Sequence, residues 1–350
     1  MRIDGSPRLD EEVWMATSAD VARLAGVSQS TVSYVMSGTR SISAETRARV
    51  EAAMRQLDYH PNAGARALAG RRTNVVGLVV RFAANTDVAA LLPFIETISS
   101  FCRERDYDVV LVTEDEGPAG LERLAGRAIV DGIVLMDIRR DDDRVPAAHS
   151  VQVPVVLIGV PDDPRDLDCV DVDVEAAGRL AVRELAEAGH RRITLIGESP
   201  VVRADQFGFV AQFAESVESA AADAGIAVST YQPDAEGWAG FTRFESQAAE
   251  LAAVRAGVIA RTPQAIDMTL QILQAAGVTP GKDVSLVGVC TDSTAEAFRI
   301  PVTNISPEPR EVSRLAMESL FARLDGRPAE RGVQLVSPRL TRRRTTAPPR

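Results

Sequence analysis

Hydrophobic residues near the start of the chain recur every three or four positions, which is the spacing of an amphipathic helix. Gly26 interrupts the first helical run, and Ser28 can cap a second helix over residues 29–36. A third helix, capped by Ser43, is predicted over residues 44–57. Its inward face is predicted to carry Ala48, Ala52 and Leu57. Helices joined by a glycine-containing turn indicate a helix-turn-helix.

From Asn74 onward the hydrophobic pattern changes to short β-branched runs separated by amphipathic helices. The runs include VVGLVV, DGIVLM, RITLIG and VSLVGV. Alternating strands and helices predict βαβ units and a parallel sheet that is covered on both faces. Two such sets, over about 74–172 and 190–300, predict two doubly wound subdomains. A ligand would bind between them, at the carboxyl ends of the strands.

These patterns divide the chain into four predicted segments. They are a disordered arm over 1–15, a helix-turn-helix domain over 16–60, a hinge helix or linker over 61–72 and an effector-binding sensor over 73–347. Within the sensor, the first subdomain is predicted to hold residues 74–172 with 301–320. The second is predicted to hold residues 173–300 with 321–347.

The net charge of −10 by itself argues against binding to nucleic acid, but the charges are unevenly distributed along the chain. Residues 16–72 contain eight arginines and four acidic residues, whereas the rest of the chain from residue 73 is strongly acidic. A basic head on an acidic body is typical of a protein whose head approaches phosphate. The three cysteines and three histidines are scattered, so the sequence predicts neither a metal site nor a disulfide framework.

Location and cofactor use are also predicted from patterns that the chain lacks. No apolar run is long enough to span a membrane, and the polar N-terminus is unlike a signal peptide, so a cytoplasmic protein is expected. No glycine-rich phosphate fingerprint follows the first strand, and hydrolase, P-loop and metalloprotease motifs are missing. We therefore expect a non-enzyme without a cofactor.

The second helix carries the residue types that read base edges. If Val32, Val35 and Met36 face the protein interior, an exposed face remains that holds Gln29, Ser30, Ser33 and Tyr34. A glutamine can bond an adenine edge with two hydrogen bonds in the major groove of double-stranded DNA. Hydroxyl groups and the amides of a helix N-terminus suit phosphate.

The segments DVARLAGVSQSTVSYVMSG and ISAETRARVEAAMRQLDYHPNAGARALAG resemble the head of the lactose/galactose repressor (LacI/GalR) family. The resemblance continues more loosely to about residue 347, through VDGIVLM, EAGHRRITLIG and PVTNIS. It implies a periplasmic-binding-protein-like sensor, a homodimer, a near-palindromic operator and a carbohydrate or related effector. Base reading is implied for Gln29, Ser30 and Tyr34. Phosphate contact is implied for Thr17, Ser28, Thr31, Ser33 and Ser37, and Leu68 would be a minor-groove wedge.

Several sensor residues lie where the resemblance or the strand pattern predicts contact with an effector. They are Asp137, Arg203, Asp205, Trp238, Thr262, Cys290 and Asp292. An indole such as that of Trp238 can stack on the apolar face of a sugar. The sequence departs from the family at three of these places, because relatives usually carry arginine at Asp205, Asn-Asp at Thr262-Pro263 and often aspartate at Cys290. These departures predict an unusual ligand, a shifted binding pose or a sensor that no longer binds a sugar.

Two other classes of protein share parts of this pattern with a ligand-responsive repressor. An exported solute-binding protein needs a signal peptide and no head, and this sequence has the reverse. A cytosolic two-lobed solute-binding protein without regulatory DNA binding stays as the alternative. The sequence does not distinguish a repressor from an activator, nor a ligand that releases DNA from one that promotes its binding.

Overall fold

The computed structural model describes residues 16–37, 40–59, 72–82, 88–114, 116–327 and 332–346. The chain forms two compact units, Met1–Thr73 and Asn74–Arg350. The predicted arm over 1–15, Leu68 and almost all of the predicted hinge lie outside the described residues.

The N-terminal unit contains the three predicted helices. They are α1 (Ser18–Ala25), α2 (Gln29–Ser37) and α3 (Ala44–Gln56). Gly26 ends α1 in the left-handed region, with a φ of 65°, where glycine avoids the strain of a Cβ atom. Val21, Val32 and Val50, one from each helix, are fully buried in a common core. This arrangement confirms the predicted helix-turn-helix.

The inward face of α3 differs from its prediction. Val50 and Ala53 are the buried residues of this helix, whereas Ala48 and Ala52 are exposed. Leu57, which follows the helix, is half-buried against the core as predicted. Valine removes more apolar surface from water than alanine does, so the helix is rotated to bury Val50.

The sensor unit contains two six-stranded sheets. The first has the strand order β11-β5-β4-β3-β1-β2, and all of its pairings are parallel. Its strands are β1 (Val75–Val79), β2 (Asp108–Val112), β3 (Gly132–Leu135), β4 (Val155–Ile158), β5 (Asp168–Val172) and β11 (Val333–Val336). β3 and β4 are buried along their whole length, as expected for a sheet that is covered on both faces.

The second sheet has the order β12-β10-β9-β8-β6-β7. Its strands are β6 (Arg192–Ile196), β7 (Ala227–Tyr231), β8 (Gly257–Ala260), β9 (Ser285–Val289), β10 (Thr303–Ser306) and β12 (Arg339–Thr341). All pairings are parallel except that of β12, which runs antiparallel to β10. The two sheets confirm the predicted pair of parallel-sheet subdomains.

The predicted division of the C-terminal segments between the subdomains is wrong in two places. Residues 303–306 pair with β9 in the second sheet, and Ile305 is buried in the second core. Residues 333–336 pair with β5 in the first sheet, with Val333 opposite Cys169. The chain therefore crosses between subdomains after β5, after β10 and after β11. β11 pairs with β5 across more than 150 residues, whereas β10 pairs with the preceding strand β9, and local periodicity encodes neither choice of sheet.

Helices cover both faces of each sheet. They are α4 (Val88–Arg103), α5 (Gly117–Gly126), α6 (Arg144–Ser150), α7 (Val174–Glu187), α8 (Pro200–Ala204), α9 (Gly208–Asp223), α10 (Thr242–Glu245), α11 (Ala248–Ala253), α12 (Pro263–Ala275), α13 (Asp292–Ala297) and α14 (Pro309–Leu324), with a 3₁₀ turn at Gly237–Phe241. α14 packs on β3, β4 and β5 and buries Met317 and Leu320. Across the described part of the chain, no helix is long and apolar enough to cross a membrane.

Candidate functional site

Hydroxyl groups cluster at the N-terminus of α2. The Ser28 hydroxyl lies 2.7 Å from that of Ser30 and 2.8 Å from that of Thr31. It also accepts a hydrogen bond from the Thr31 amide at 3.1 Å, so it caps the helix. This end of α2 therefore presents hydroxyls beside the partial positive charge of a helix N-terminus, an arrangement that suits an anion.

The face of α2 opposite the core is exposed and polar. Gln29, Ser33 and Tyr34 lie on it, while Val32 and Val35 are buried on the other side. The Gln29 side-chain amide donates to the Ser18 hydroxyl at 2.7 Å, and this bond ties the start of α2 to α1. The Tyr34 ring is 36% exposed, and the Arg40 guanidinium carbon lies 5.7 Å from its centroid. The structure thus places the predicted base-reading residues on one accessible surface.

The predicted phosphate contacts lie around the ends of the same two helices. Thr17 caps α1 in a capping box, in which its amide and hydroxyl donate to Asp20 at 3.0 and 2.6 Å. The bond from the Thr17 hydroxyl holds the pKa of Asp20 below its ordinary value. Ser37 is the last residue of α2, and its side chain lies outside the described part of the structure.

A cavity of about 340 Å³ lies between the two sensor subdomains. The carboxyl ends of β1, β3 and β6 face it through the residues that follow them, Arg81, Asp137 and Glu198. This is the position at which parallel α/β sheets bind ligands. Of the predicted effector residues, the cavity brings together Asp137, Asp205, Thr262 and Cys290.

Two ion pairs line this cavity. Arg81 from the first subdomain pairs with Asp205 from the second, so this contact spans the cleft. Arg261 pairs with Glu198 at 2.7 Å, and both side chains are at most 14% exposed. Two backbone contacts also join the subdomains here. Arg139 forms an isolated antiparallel β-bridge with Phe207, and the Arg140 amide donates to the Gln206 carbonyl at 3.3 Å.

Two further carboxylates of the cavity wall accept hydrogen bonds from backbone amides. Asp137 accepts from the Arg81 amide at 3.1 Å, and burial raises the pKa of its carboxyl. Asp171, in β5, accepts from the Val172 amide at 2.7 Å. Burial raises the pKa of Asp171 from 3.8 to about 6. A carboxylate in this position gains from a ligand that donates to it.

The rest of the cavity wall is mainly apolar. Half-buried rings of Phe94, Phe207 and Phe209 line it, and the last two are stacked with centroids 5.4 Å apart. The Thr262 hydroxyl caps α12 by accepting from Ala265 at 3.1 Å, and Cys290 is buried. The polar part of the wall therefore combines ionisable side chains with the hydroxyls of Thr262, Thr291, Thr294 and Ser306.

Arg203, Trp238 and Asp292, predicted to contact the effector, lie outside the cavity wall. The Arg203 guanidinium is bonded to Gln232 and to the Pro233 carbonyl. Trp238 is 51% exposed, because Phe241 and Phe244 fill the buried positions of its segment. The Asp292 carboxylate is held by Arg339 at 2.7 Å and Arg343 at 3.0 Å.

Sequence reasoning missed Arg81, Asp171, Glu198 and Arg261. Arg81, Glu198 and Arg261 follow the ends of β1, β6 and β8, and Asp171 is the penultimate residue of β5. The rule that ligands bind at strand carboxyl ends points to Arg81, Glu198 and Arg261 as it does to Asp137, whereas Asp171 lies within β5, a strand that the hydrophobic pattern does not predict. The phenylalanines carry no comparable signal, because their spacing is also that of core residues.

A helix-turn-helix domain followed by a two-lobed sensor with an interlobe cavity defines the class of ligand-responsive DNA-binding proteins. Family models match both parts. The model of bacterial regulatory proteins of the lacI family matches residues 17–62. Periplasmic binding proteins and the sugar binding domain of the LacI family match 73–226, and a periplasmic binding protein-like domain matches 170–346.

The chain belongs to the LacI family of transcription regulators. It is 31% identical over 337 residues to the transcriptional regulator CelR of Thermobifida fusca, with 90% of this chain and 94% of CelR covered. It is 29% identical over 344 residues to the transcriptional repressor PurR of Vibrio cholerae serotype O1, with 95% and 98% covered. The sequence-based assignment to this family is thereby confirmed.

Solved structures support the same fold. A lac repressor dimer bound to operator and the anti-inducer ONPF matches with a TM-score of 0.80 at 23% identity, covering 95% of this chain and all of that one. A complex of the transcriptional regulator CelR with cellobiose matches with a TM-score of 0.65 at 27% identity, covering 94% and 99%.

Proposed function

We propose that this protein is a repressor that binds a near-palindromic operator as a homodimer, with α2 of each copy in a major groove. The observation that carries the proposal is the capped helix α2, whose core face is apolar and whose exposed face holds Gln29, Ser33 and Tyr34. A two-fold pair of such helices reads two half-sites.

The residues have separate roles in this proposal. Gln29, Ser30 and Tyr34 read base edges, while Thr17, Ser28, Thr31, Ser33 and Ser37 contact phosphates. Leu68, outside the described residues, acts as the minor-groove wedge. The hydroxyl cluster at the start of α2 supports the phosphate role, because these groups surround a helix N-terminus.

A small molecule in the interlobe cavity regulates operator affinity. The size of the cavity and its position, at the strand ends between two subdomains, support a ligand as large as a sugar. The match to a sugar binding domain and the cellobiose bound by a structural neighbour support a carbohydrate or related metabolite. Arg81 and Asp205 join the two subdomains, so a ligand that contacts either one alters closure of the cleft.

In vitro selection from a randomised duplex library tests the DNA-binding role. The full chain should enrich a two-fold symmetric site, and binding should weaken steeply with salt because arginines displace condensed counterions. The double substitution Gln29→Ala and Tyr34→Ala should abolish enrichment. Glu51→Ala, on the exposed face of α3, is the matched control. Equal affinity for selected and scrambled duplexes would leave a two-lobed solute-binding protein instead.

A further inference from the structure

We propose that the effector is an organic cation, a sugar-sized amine whose ammonium group pairs with the carboxylate of Asp171 in the interlobe cavity. This inference rests on the proposed function of the interlobe cavity and adds a charge to its ligand. It depends on three features of the cavity wall: an excess of carboxylates, the burial of one of them and the presence of aromatic faces.

Carboxylates outnumber cations in the described cavity wall. Four carboxylates line it with two guanidinium groups and no lysine. Both guanidinium groups are already paired, Arg261 with Glu198 at 2.7 Å and Arg81 with Asp205. The positive charges of Arg144 and Arg81 act on Asp137, whereas no cation of the described residues acts on Asp171. The negative charge of Asp171 is therefore uncompensated and attracts a cation.

Asp171 is the carboxylate that most needs a partner. Within the described structure its carboxylate has no salt bridge, and it accepts one hydrogen bond, from the adjacent Val172 amide. It faces the cavity at the end of β5, next to a crossing between the subdomains. A half-buried carboxylate without a cation is costly, and its partial burial accordingly raises its pKa to about 6. An ammonium group would remove this cost by pairing with it.

Asp137 provides the second carboxylate of the same cavity. Its backbone has a left-handed φ of 55°, and Arg144 donates to its carbonyl at 2.7 Å, so its position is fixed. Its carboxylate accepts only a backbone amide bond from Arg81 among the described contacts. Burial raises the pKa of its carboxyl, while the Arg81 amide and the charges of Arg144 and Arg81 oppose this rise, so Asp137 already has cations close to it and Asp171 does not.

The phenylalanines complete a site for an amine. Phe207 and Phe209 already hold cations at their faces, with the guanidinium carbons of Arg81 and Arg261 at 5.9 and 5.0 Å from the ring centroids. Phe94 lines the same wall. These rings can pack against the carbon skeleton of the ligand, while its ammonium group pairs with the Asp171 carboxylate. A neutral polyol would fill the space but leave the charge of Asp171 uncompensated.

Matched pairs of ligands that differ in one amine test this inference. D-glucosamine is compared with D-glucose, and 2-phenylethylamine with 2-phenylethanol, by calorimetry on the purified full-length protein at neutral pH. In at least one pair the ammonium member should bind about tenfold more tightly, since a charge-assisted hydrogen bond is stronger than a neutral one. The pair that responds tells whether the skeleton is a sugar or an aryl chain.

Asp171→Asn should reduce that preference to less than about threefold, while Asp223→Asn, an exposed carboxylate at the end of α9, should leave it unchanged. Circular dichroism of each variant checks folding. The inference is overturned if the neutral member binds equally well in both pairs, if no amine binds, or if Asp171→Asn keeps the preference. Operator binding is measured separately on the same samples. A protein that does not bind an operator can therefore be distinguished from one that does not prefer an amine.

Discussion

At the scale of single residues, Tyr34 and Asp171 show two ways in which a side chain acquires a function. Tyr34 remains 36% exposed because Val32 and Val35 occupy the buried side of its helix. Asp171 is enclosed by the two lobes and keeps a carboxylate that the fold does not neutralise. One residue is available to a macromolecule and the other to a small molecule.

Tyr34→Ala is expected to relax base preference at one position in each half-site, at a cost of about 1–3 kcal/mol for the preferred duplex. The reason is that its hydroxyl and ring lie on the exposed face of α2. Binding to a set of single-base operator variants measures the effect. An equal loss on every duplex would instead identify Tyr34 as a backbone contact.

Asp171→Asn is expected to stabilise the protein at neutral pH and to have little effect in acid. The pKa of Asp171 rises from 3.8 to about 6 on folding, so the native state keeps a proton that the unfolded state loses between these values. Stability therefore falls as pH rises through this window, by up to about 3 kcal/mol. Asparagine cannot ionise, so the free energy of unfolding of the variant does not fall in this way. Urea unfolding of both proteins at the two ends of the pH window measures the difference in stability. A difference that does not change with pH would contradict the prediction.

The sequence identified residues well where local pattern decides their environment. The pattern places Gln29 and Tyr34 on the exposed face of α2 because the apolar positions of one short helix fix its orientation. The prediction for Trp238 is wrong, because whether an aromatic side chain enters a cleft depends on which neighbours fill the core of its segment. The pairing of Arg81 with Asp205 joins positions 124 residues apart and could not be predicted locally.

At the scale of elements, helix ends were predictable and sheet membership was not. The prediction for α2 over 29–36 agrees with Gln29–Ser37, since Ser28 supplies a side-chain cap whose partner is three residues away. The strand at 333–336 was assigned to the wrong lobe, because its partner β5 is distant in sequence. Interactions within one turn are encoded locally, whereas parallel pairing depends on the whole topology.

Ser28→Ala is expected to destabilise α2 by about 1 kcal/mol through loss of its cap. Hydrogen exchange of the amides in Gln29–Ser37 should accelerate by roughly fivefold in the absence of DNA. Ser33→Ala, on the exposed face of the same helix, is the matched control and should change exchange little. Equal acceleration in both variants would show that the hydroxyl of Ser28 has no special part in helix stability.

At the scale of the whole sensor, contacts between the subdomains limit how the cleft opens. The Arg81 and Asp205 side chains pair across it, and the Arg140 amide bonds the Gln206 carbonyl at 3.3 Å. Both side chains of the ion pair are partly exposed, so its stabilisation is modest. A modest contact of this kind suits a lobe arrangement that a ligand must be able to alter.

Asp205→Asn is expected to increase the population of the open cleft about fivefold, the effect of losing about 1 kcal/mol. Hydrogen exchange of the Arg140 amide reports opening of the cleft, because the carbonyl that accepts its hydrogen bond belongs to the opposite subdomain. Glu318→Gln, which alters an ion pair within α14, is the control and should leave the rate unchanged. An unaltered rate in Asp205→Asn would mean that other contacts hold the lobes together.

Because the chain crosses three times between the subdomains, neither sheet is complete until late in synthesis on the ribosome. β5 forms the edge of the first sheet until Val336 has been translated, and β3 and β4 lack the cover of Met317 and Leu320 until α14 has emerged. Neither lobe can therefore finish folding as a nascent domain while the remainder is still being made. A premature stop anywhere before the last strands would damage both lobes together and leave apolar surface open to aggregation.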